Sequence, residues 1–329
     1  MAMKKPCSKL IIGLSIVFGI VFGTLLCRYL IYPHLNEYND DMTEVEVEGW
    51  EMNRSRDTSH YVRPLVQTTI MSGSRVCPPS PLTLLIMVCS GLGHRALRDA
   101  IRETWGKSLP SNASLTFFVG RSNNKTLMDS LEEEQSMFQD IVQEDFIDSY
   151  NNLTIATLMM LKFVTHRCSH VKFVVKADDD IYFNVAKLFL LLTESPENFR
   201  LAGNLIREPG VYRSPSDKWY VPRYLYKEDT YPNFLSGPGY IMSYDVATTL
   251  YNTSLQLPIF HLEDVFLTGI CAEAAGIKRY SIAGVNSFYR DVNICNPTDI
   301  LVHYFTPEML IKLWKPIREG TCNTWGQGR

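Results

Sequence analysis

An uncharged, almost wholly apolar run over residues 10–27 lies between Lys4, Lys5 and Lys9 on one side and Arg28 on the other. A helix over that run is long enough to cross a bilayer, and no small-residue cleavage site precedes Arg28, so the pattern predicts a retained signal anchor and not a cleaved signal peptide. Positive charge on the N-terminal side predicts a cytoplasmic tail over residues 1–9 and a lumenal or extracellular remainder. Residues 28–80 are polar without sustained periodicity and read as a stem.

From Leu82 onward, apolar runs alternate with segments of helical period, the pattern of an α/β domain over residues 81–329. Residues 82–88 read as a buried strand, broken by Gly91-Leu92-Gly93 before a helix over 95–105. In that helix Leu97, Ala100, Ile101 and Thr104 mark the inward face, and Arg95, Arg98 and Arg102 recur on another. Residues 115–119 read as a second strand, 126–138 as an acidic amphipathic helix, 154–167 as another helix and 171–177 as a third strand. Right-handed connections place the ends of these strands on one side of a single sheet, so the arginine helix converges with the residues just after 177.

Those residues are Asp178, Asp179 and Asp180 in a row. Three adjacent carboxylates repel one another unless solvated in a turn or gathered around a hard divalent cation, and the triplet alone leaves both readings open. The arginine face has the same ambiguity: it is either a solvated basic face or one that meets a diphosphate beyond the strand ends. Further on, Gly237 and Gly239 flank Pro238 and predict a tight backbone able to approach a ligand closely. Glu263 and Asp264 precede the apolar Val265, Phe266 and Leu267, either as a helix cap or as a base at the mouth of a buried segment. His303 is flanked by apolar and aromatic residues, and its imidazole is an acceptable ligand for a cation such as Mn²⁺.

A formal charge of −3 makes a nucleic-acid partner unattractive without excluding any class. Sequons at Asn53, Asn112, Asn124, Asn152 and Asn252 all fall on the lumenal side, and Asn152 also stands where a helix cap is expected. Cys77, Cys89, Cys168, Cys271, Cys295 and Cys322 would share an oxidising compartment, where disulfides form.

Five motifs in register, RDAIRETWG (98–106), VKADDDIYFN (175–184), KWYVP (218–222), YPNFLSGPGY (231–240) and EDVFLTG (263–269), closely resemble the β-1,3-galactosyltransferase family. That family includes β-1,3-N-acetylglucosaminyltransferases, with Fringe-type enzymes as more distant relatives, and the resemblance covers nearly all of residues 80–329. It implies a GT-A fold, a Rossmann-like α/β sandwich behind one transmembrane helix, acting in the Golgi membrane with the catalytic domain lumenal. The implied partners are a UDP-sugar, UDP-galactose before UDP-N-acetylglucosamine, Mn²⁺, and an oligosaccharide acceptor on a glycoprotein or glycolipid.

The resemblance also implies roles. Asp178, Asp180 and His303 would hold the metal; Arg98, Arg102, Lys176, Asp178, Asp179, Gly237, Gly239 and Glu263 would lie around the nucleotide-sugar; Asp264 would be the catalytic base; and Trp105 would pack structurally. Pro238 departs from the residue expected in either donor class, which leaves β-1,3-N-acetylglucosaminyl transfer as the alternative. An anchored glycan-binding protein without catalysis is the reading from another class, and it predicts lost carboxylates that this chain retains. We expect disulfides between Cys77 and Cys168 and between Cys271 and either Cys295 or Cys322, with Cys89 a free core thiol.

Overall fold

The computed structural model describes residues 54–322. The predicted anchor, Cys7, Cys27 and Asn53 lie outside the described residues, and no described helix is long and apolar enough to cross a membrane. The chain runs through α1 (Thr58–Val62), β1 (Thr69–Ser72), β2 (Leu82–Cys89), α2 (Arg95–Glu103), β3 (Ala113–Arg121), α3 (Lys125–Phe138), β4 (Ile141–Ile147), α4 (Leu153–Arg167) and β5 (Val171–Asp178). It continues through β6 (Ile181–Phe183), α5 (Val185–Glu194), β7 (Leu201–Ile206), β8 (Phe234–Ser243), α6 (Tyr244–Ser254), a π-helical segment (Val265–Cys271), β9 (Tyr280–Ser281), β10 (Val285–Asn286), β11 (Leu301–His303) and α7 (Pro307–Arg318).

Eight strands form one mixed sheet in the order β1-β4-β3-β2-β5-β8-β7-β9. Its centre, β4-β3-β2-β5, is parallel, and β8 joins β5 antiparallel. The near-continuous apolar run of β2 is explained by burial on both faces. Leu85, Met87 and Cys89 enter one core with α4 and α6, while Leu84, Ile86 and Val88 enter another with α2 and α7. The result is a three-layer α/β/α arrangement with two cores and one sheet between them. A second sheet, β10-β11-β6, pairs His303 with Ile181 and so brings the chain beyond β5 against the C-terminal part of the molecule.

Several expectations are corrected. Residues 54–80, read as stem, carry α1 and β1, and β1 is the edge strand of the main sheet. The Gly237-Pro238-Gly239 stretch, read as a tight backbone, lies within β8. There β7 and β8 pair at Gly203 with Tyr240 and resume at Leu205 with Leu235, so Pro238 falls in a bulge where the ladder needs no N–H from it. Cys77 bonds Cys168 and Cys89 is free and buried, as expected, but Cys322 bonds Cys295 and Cys271 is a free thiol buried in the π-helical segment. Asn152 does precede α4, yet its side chain donates to the Ile147 carbonyl (2.9 Å) and does not cap the helix.

Candidate active site

At the carboxyl end of β5 the three aspartates separate. Asp178 and Asp180 turn to the same side as His303, and one ligand atom from each lies within 4.8 Å of the others. His303 Nε2 is 3.0 Å from Asp180 Oδ1, and its Nδ1 lies 3.2 Å from the Ser287 carbonyl. A carbonyl only accepts, so it fixes the proton on Nδ1 and directs the Nε2 lone pair at the acidic pair. Two hard carboxylates and an imidazole oriented in this way fit a divalent cation such as Mn²⁺. Tyr304, at φ 68°, is held in the left-handed region that bulky residues avoid, and its ring lies 3.9 Å from that of His303. Burial pushes the Asp180 carboxyl up. Burial also favours a neutral His303, but the hydrogen bond its protonated form donates to Asp180, together with the charges of Asp180 and Asp178, outweighs burial and raises the imidazole pKa above its ordinary value.

Asp179 faces the other way. Its Oδ2 meets His94 Nδ1 at 2.8 Å, and it is buried below the loop after β2. In that loop the Leu92 N–H donates to Asp148, whose carboxyl burial pushes up to about 6.

Lys176 links the triplet to the second carboxylate pair. Its buried ammonium donates to Asp178 Oδ1 (2.6 Å) and to the Gly237 carbonyl (2.8 Å) and lies 3.7 Å from Glu263 Oε2. Burial works against that charge, but Asp178 and Glu263 overcome it and hold the lysine above its usual range. Tyr240 donates to Glu263 Oε1 at 2.5 Å. Burial, reinforced by the neighbouring Asp264, pushes Glu263 up to about 7, with Lys176 opposing.

Asp264 caps the π-helical segment. Its Oδ1 accepts from the Val265 N–H (2.8 Å) and its Oδ2 from the Gly237 N–H (3.0 Å). Burial raises its pKa, and the two N–H groups and Lys176 oppose that rise. The cap and base readings are therefore compatible: each oxygen has one backbone donor and keeps a lone pair. A π-helical turn beside such a residue is a common mark of a functional site. Gly237 and Gly239 serve close packing here: a Cβ on Gly237 would stand 3.3 Å from Asp264 Oδ2, and one on Gly239 2.3 Å from Leu301 Cδ1.

The expected arginine face is not a face at all. Arg98 donates to Glu134 from Nε and Nη2, to Ser90 and Gly91 from Nη1, and to Leu92 from Nη2. That uses all of its donors within a site 1% exposed, leaving none for a diphosphate. Arg102 is held by Asp99, Glu134 and Asp140 and lies over the Phe117 and Phe138 rings. Arg98 braces the loop that carries His94, and Arg102 ties its own helix to Glu134 and Asp140. Trp105 is buried as expected, and its Nε1 donates to the Ile181 carbonyl (3.0 Å) directly behind Asp180.

A galactosyltransferase family model matches residues 96–283. The chain belongs to the galactosyltransferase family. Human beta-1,3-galactosyltransferase 1 is 37% identical over 237 residues, 70% of this chain and 72% of that one. Beta-1,3-galactosyltransferase 5 of Mus musculus is 34% identical over 249 residues, 73% of this chain and 80% of its own. The apo structure of the bifunctional glycosyltransferase WbbM aligns with 74% of this chain and 52% of its own at 14% identity and a TM-score of 0.41, too slight a likeness to add to the family assignment.

In this family member the matched region contains Lys176, the aspartate triplet, Gly237 and Asp264 but not His303, which the β6–β11 pairing brings in from beyond it. His94 and Asp148 were missed by the sequence reading. Their only signal was position, at the ends of parallel strands where ligands of α/β sheets bind.

Proposed function

We propose that this chain is an inverting β-1,3-galactosyltransferase of GT-A type, moving galactose from UDP-galactose to a terminal sugar of a glycoprotein or glycolipid glycan. The observation that carries this reading is the placement of half-buried Asp264 across Lys176 from the group of Asp178, Asp180 and His303. One end of the site offers a base and the other a place for a cation and diphosphate. A single displacement needs both.

In the transfer, the free lone pair of the Asp264 carboxylate accepts the proton of the acceptor hydroxyl. The hydroxyl oxygen bonds to the anomeric carbon from the face opposite UDP as the bond to the diphosphate oxygen breaks, and UDP departs with that electron pair. The configuration inverts and no sugar–enzyme bond forms. Asp178, Asp180 and His303 would hold a divalent cation, which would supply charge neutralisation for the departing diphosphate. Lys176 keeps Asp178 and the Gly237 carbonyl in place, and the N–H groups of Gly237 and Val265 orient the base.

A surface whose Lys218 lies within electrostatic reach of Tyr304 suits a sugar. The excursion between β7 and β8 exposes Tyr212 and Trp219 with ring centroids 5.4 Å apart, and its Lys218 lies 4.0 Å from the centre of the Tyr150 ring. Aromatic faces pack against the C–H faces of pyranoses while leaving their hydroxyls wet.

The same reading includes a signal anchor at residues 10–27, a stem after it and residence in the Golgi membrane with the catalytic domain lumenal. The Cys77–Cys168 and Cys295–Cys322 bonds support an oxidising compartment. The test is transfer by the membrane-embedded full chain with Mn²⁺, offering UDP-galactose or UDP-N-acetylglucosamine with GlcNAc-, GalNAc- and Gal-terminated acceptors. Turnover with UDP-galactose and a β-1,3 bond in the product is expected. Turnover with UDP-N-acetylglucosamine alone would reverse the donor, and glycan retention without turnover would favour the non-catalytic reading.

A further inference from the structure

Residues 54–63 precede the region matched by the family model and read from sequence as stem, yet they bond specifically to the core. Arg56 donates from Nε and Nη2 to the Ile259 carbonyl (3.2 and 3.1 Å) and from Nη1 to the Leu225 carbonyl (3.3 Å). The Ile259 N–H donates back to the Arg56 carbonyl at 2.8 Å, Thr58 Oγ1 donates to the Leu257 carbonyl at 2.7 Å, and Asp57 and Pro258 form a β-bridge. The far end of this strap is fixed separately: the buried Lys162 ammonium donates to the carbonyls of Val62, Arg63 and Val66 and to Thr68 Oγ1.

The two carbonyls held by Arg56 belong to different parts of the site. Leu225 lies in the β7–β8 excursion that exposes Tyr212 and Trp219, and Ile259 lies just ahead of Glu263 and Asp264. Between them the rings of Tyr226, Tyr231 and Phe260 form a cluster with centroids 5.0 to 5.9 Å apart. The Tyr231 hydroxyl is buried without a hydrogen-bond partner among the described residues and is close enough to Asp264 and Arg213 to feel both charges. Arg56 thus joins two backbone carbonyls that flank a cluster of three aromatic rings, and Tyr231 of that cluster lies within electrostatic reach of the base.

We propose that Arg56 is a positioning residue for the acceptor half of the transfer: it holds the excursion and the base-bearing segment at one separation and so sets where a glycan hydroxyl meets Asp264. Through Arg56 the end of the stem then acts on the acceptor site, while the rest of the strap, Thr58 included, serves as a tether. This inference rests on the transferase reading.

The test compares Arg56→Ala, Arg56→Lys and Thr58→Val in the full-length chain in detergent, measuring melting temperature, kcat, the KM of donor and acceptor, and acceptor affinity by calorimetry. Arg56→Ala is expected to lower kcat/KM for the acceptor by about tenfold or more while leaving the donor KM within about twofold. Arg56→Lys restores part of the loss, because one ammonium reaches one carbonyl and not both. Thr58→Val, which loosens the same strap at Leu257, lowers the melting temperature and spares the acceptor terms. Unchanged acceptor kinetics and affinity in Arg56→Ala would overturn the proposal, as would equal losses for donor and acceptor that merely follow the melting temperature. If Arg56→Ala does not fold, Arg56→Lys decides by the same split between donor and acceptor. A wild-type chain without turnover would sink the transferase reading, whereas the calorimetric acceptor affinity still decides the role of Arg56.

Discussion

The amide of Gly237 donates to Oδ2 of Asp264 at 3.0 Å, so a glycine in the bulged strand β8 holds the carboxylate that caps the π-helical segment. A methyl group at Gly237 would stand 3.3 Å from that oxygen, tight enough that the carboxylate must shift by a few tenths of an ångström. Gly237→Ala is therefore expected to lower kcat by about tenfold with little change in stability, because reacting groups tolerate small displacements poorly. Gly239→Ala directs its methyl at Leu301 Cδ1 in a packed core and is expected to cost about 1–3 kcal/mol of stability. Rates and urea denaturation of the two variants separate these outcomes.

Glu263 predicts a pH dependence. Its folded pKa, about 7, lies above its ordinary value of 4.5, so the native state binds the proton more tightly than the unfolded chain does. Its contribution to stability is complete below about pH 4.5 and is lost as the pH rises through about 7, a change on the order of 3 kcal/mol. Glu263→Gln should flatten the stability profile over that window and leave the protein more stable than wild type above pH 7. Denaturation followed across pH checks the sign: a variant as steep as wild type would contradict it.

Arg98 and Glu134 form an ion pair in which both side chains are 1% exposed. Arg98→Met leaves the buried Glu134 carboxylate with Arg102 as its cation and takes the donor from the Ser90, Gly91 and Leu92 oxygens, so it is expected to cost roughly 3–5 kcal/mol, and adding Glu134→Leu should recover only part of that loss. A double-mutant cycle in guanidinium chloride measures the coupling.

The group of Asp178, Asp180 and His303 makes a prediction about metal dependence. His303→Ala and Asp180→Ala should each raise the Mn²⁺ concentration for half-maximal activity by about tenfold or more, as loss of a ligand weakens a site. Metal titration of each variant, with chelator-treated wild type as reference, gives the answer.

Much of this architecture was legible in the chain. The run that became β5 could be read because buried parallel strands are continuously apolar, and its abrupt end at Asp178 marked the site. The features that could not be read depended on distant partners. Arg98 and Arg102 looked like a surface stripe because Glu134 and Asp140, which neutralise them, come from α3 and the residue before β4. Residues 54–80 looked like stem because α1 and β1 are short, and their fixation comes from Lys162 and from the carbonyls of residues 257 and 259. Gly237 and Gly239 pointed to close backbone approach, but nothing local placed them in a bulge within a strand. Cys271 gave no sign that a π-helical segment would bury it away from Cys295 and Cys322.

The most direct test of the central claim is a comparison of Asp264→Asn with wild type in galactosyl transfer from UDP-galactose, with donor affinity measured alongside. Loss of a general base predicts a fall in kcat of about 10²- to 10⁴-fold with UDP-galactose binding within about twofold of wild type. Transfer at the wild-type rate by Asp264→Asn would show that another group takes the acceptor's proton and would contradict the account.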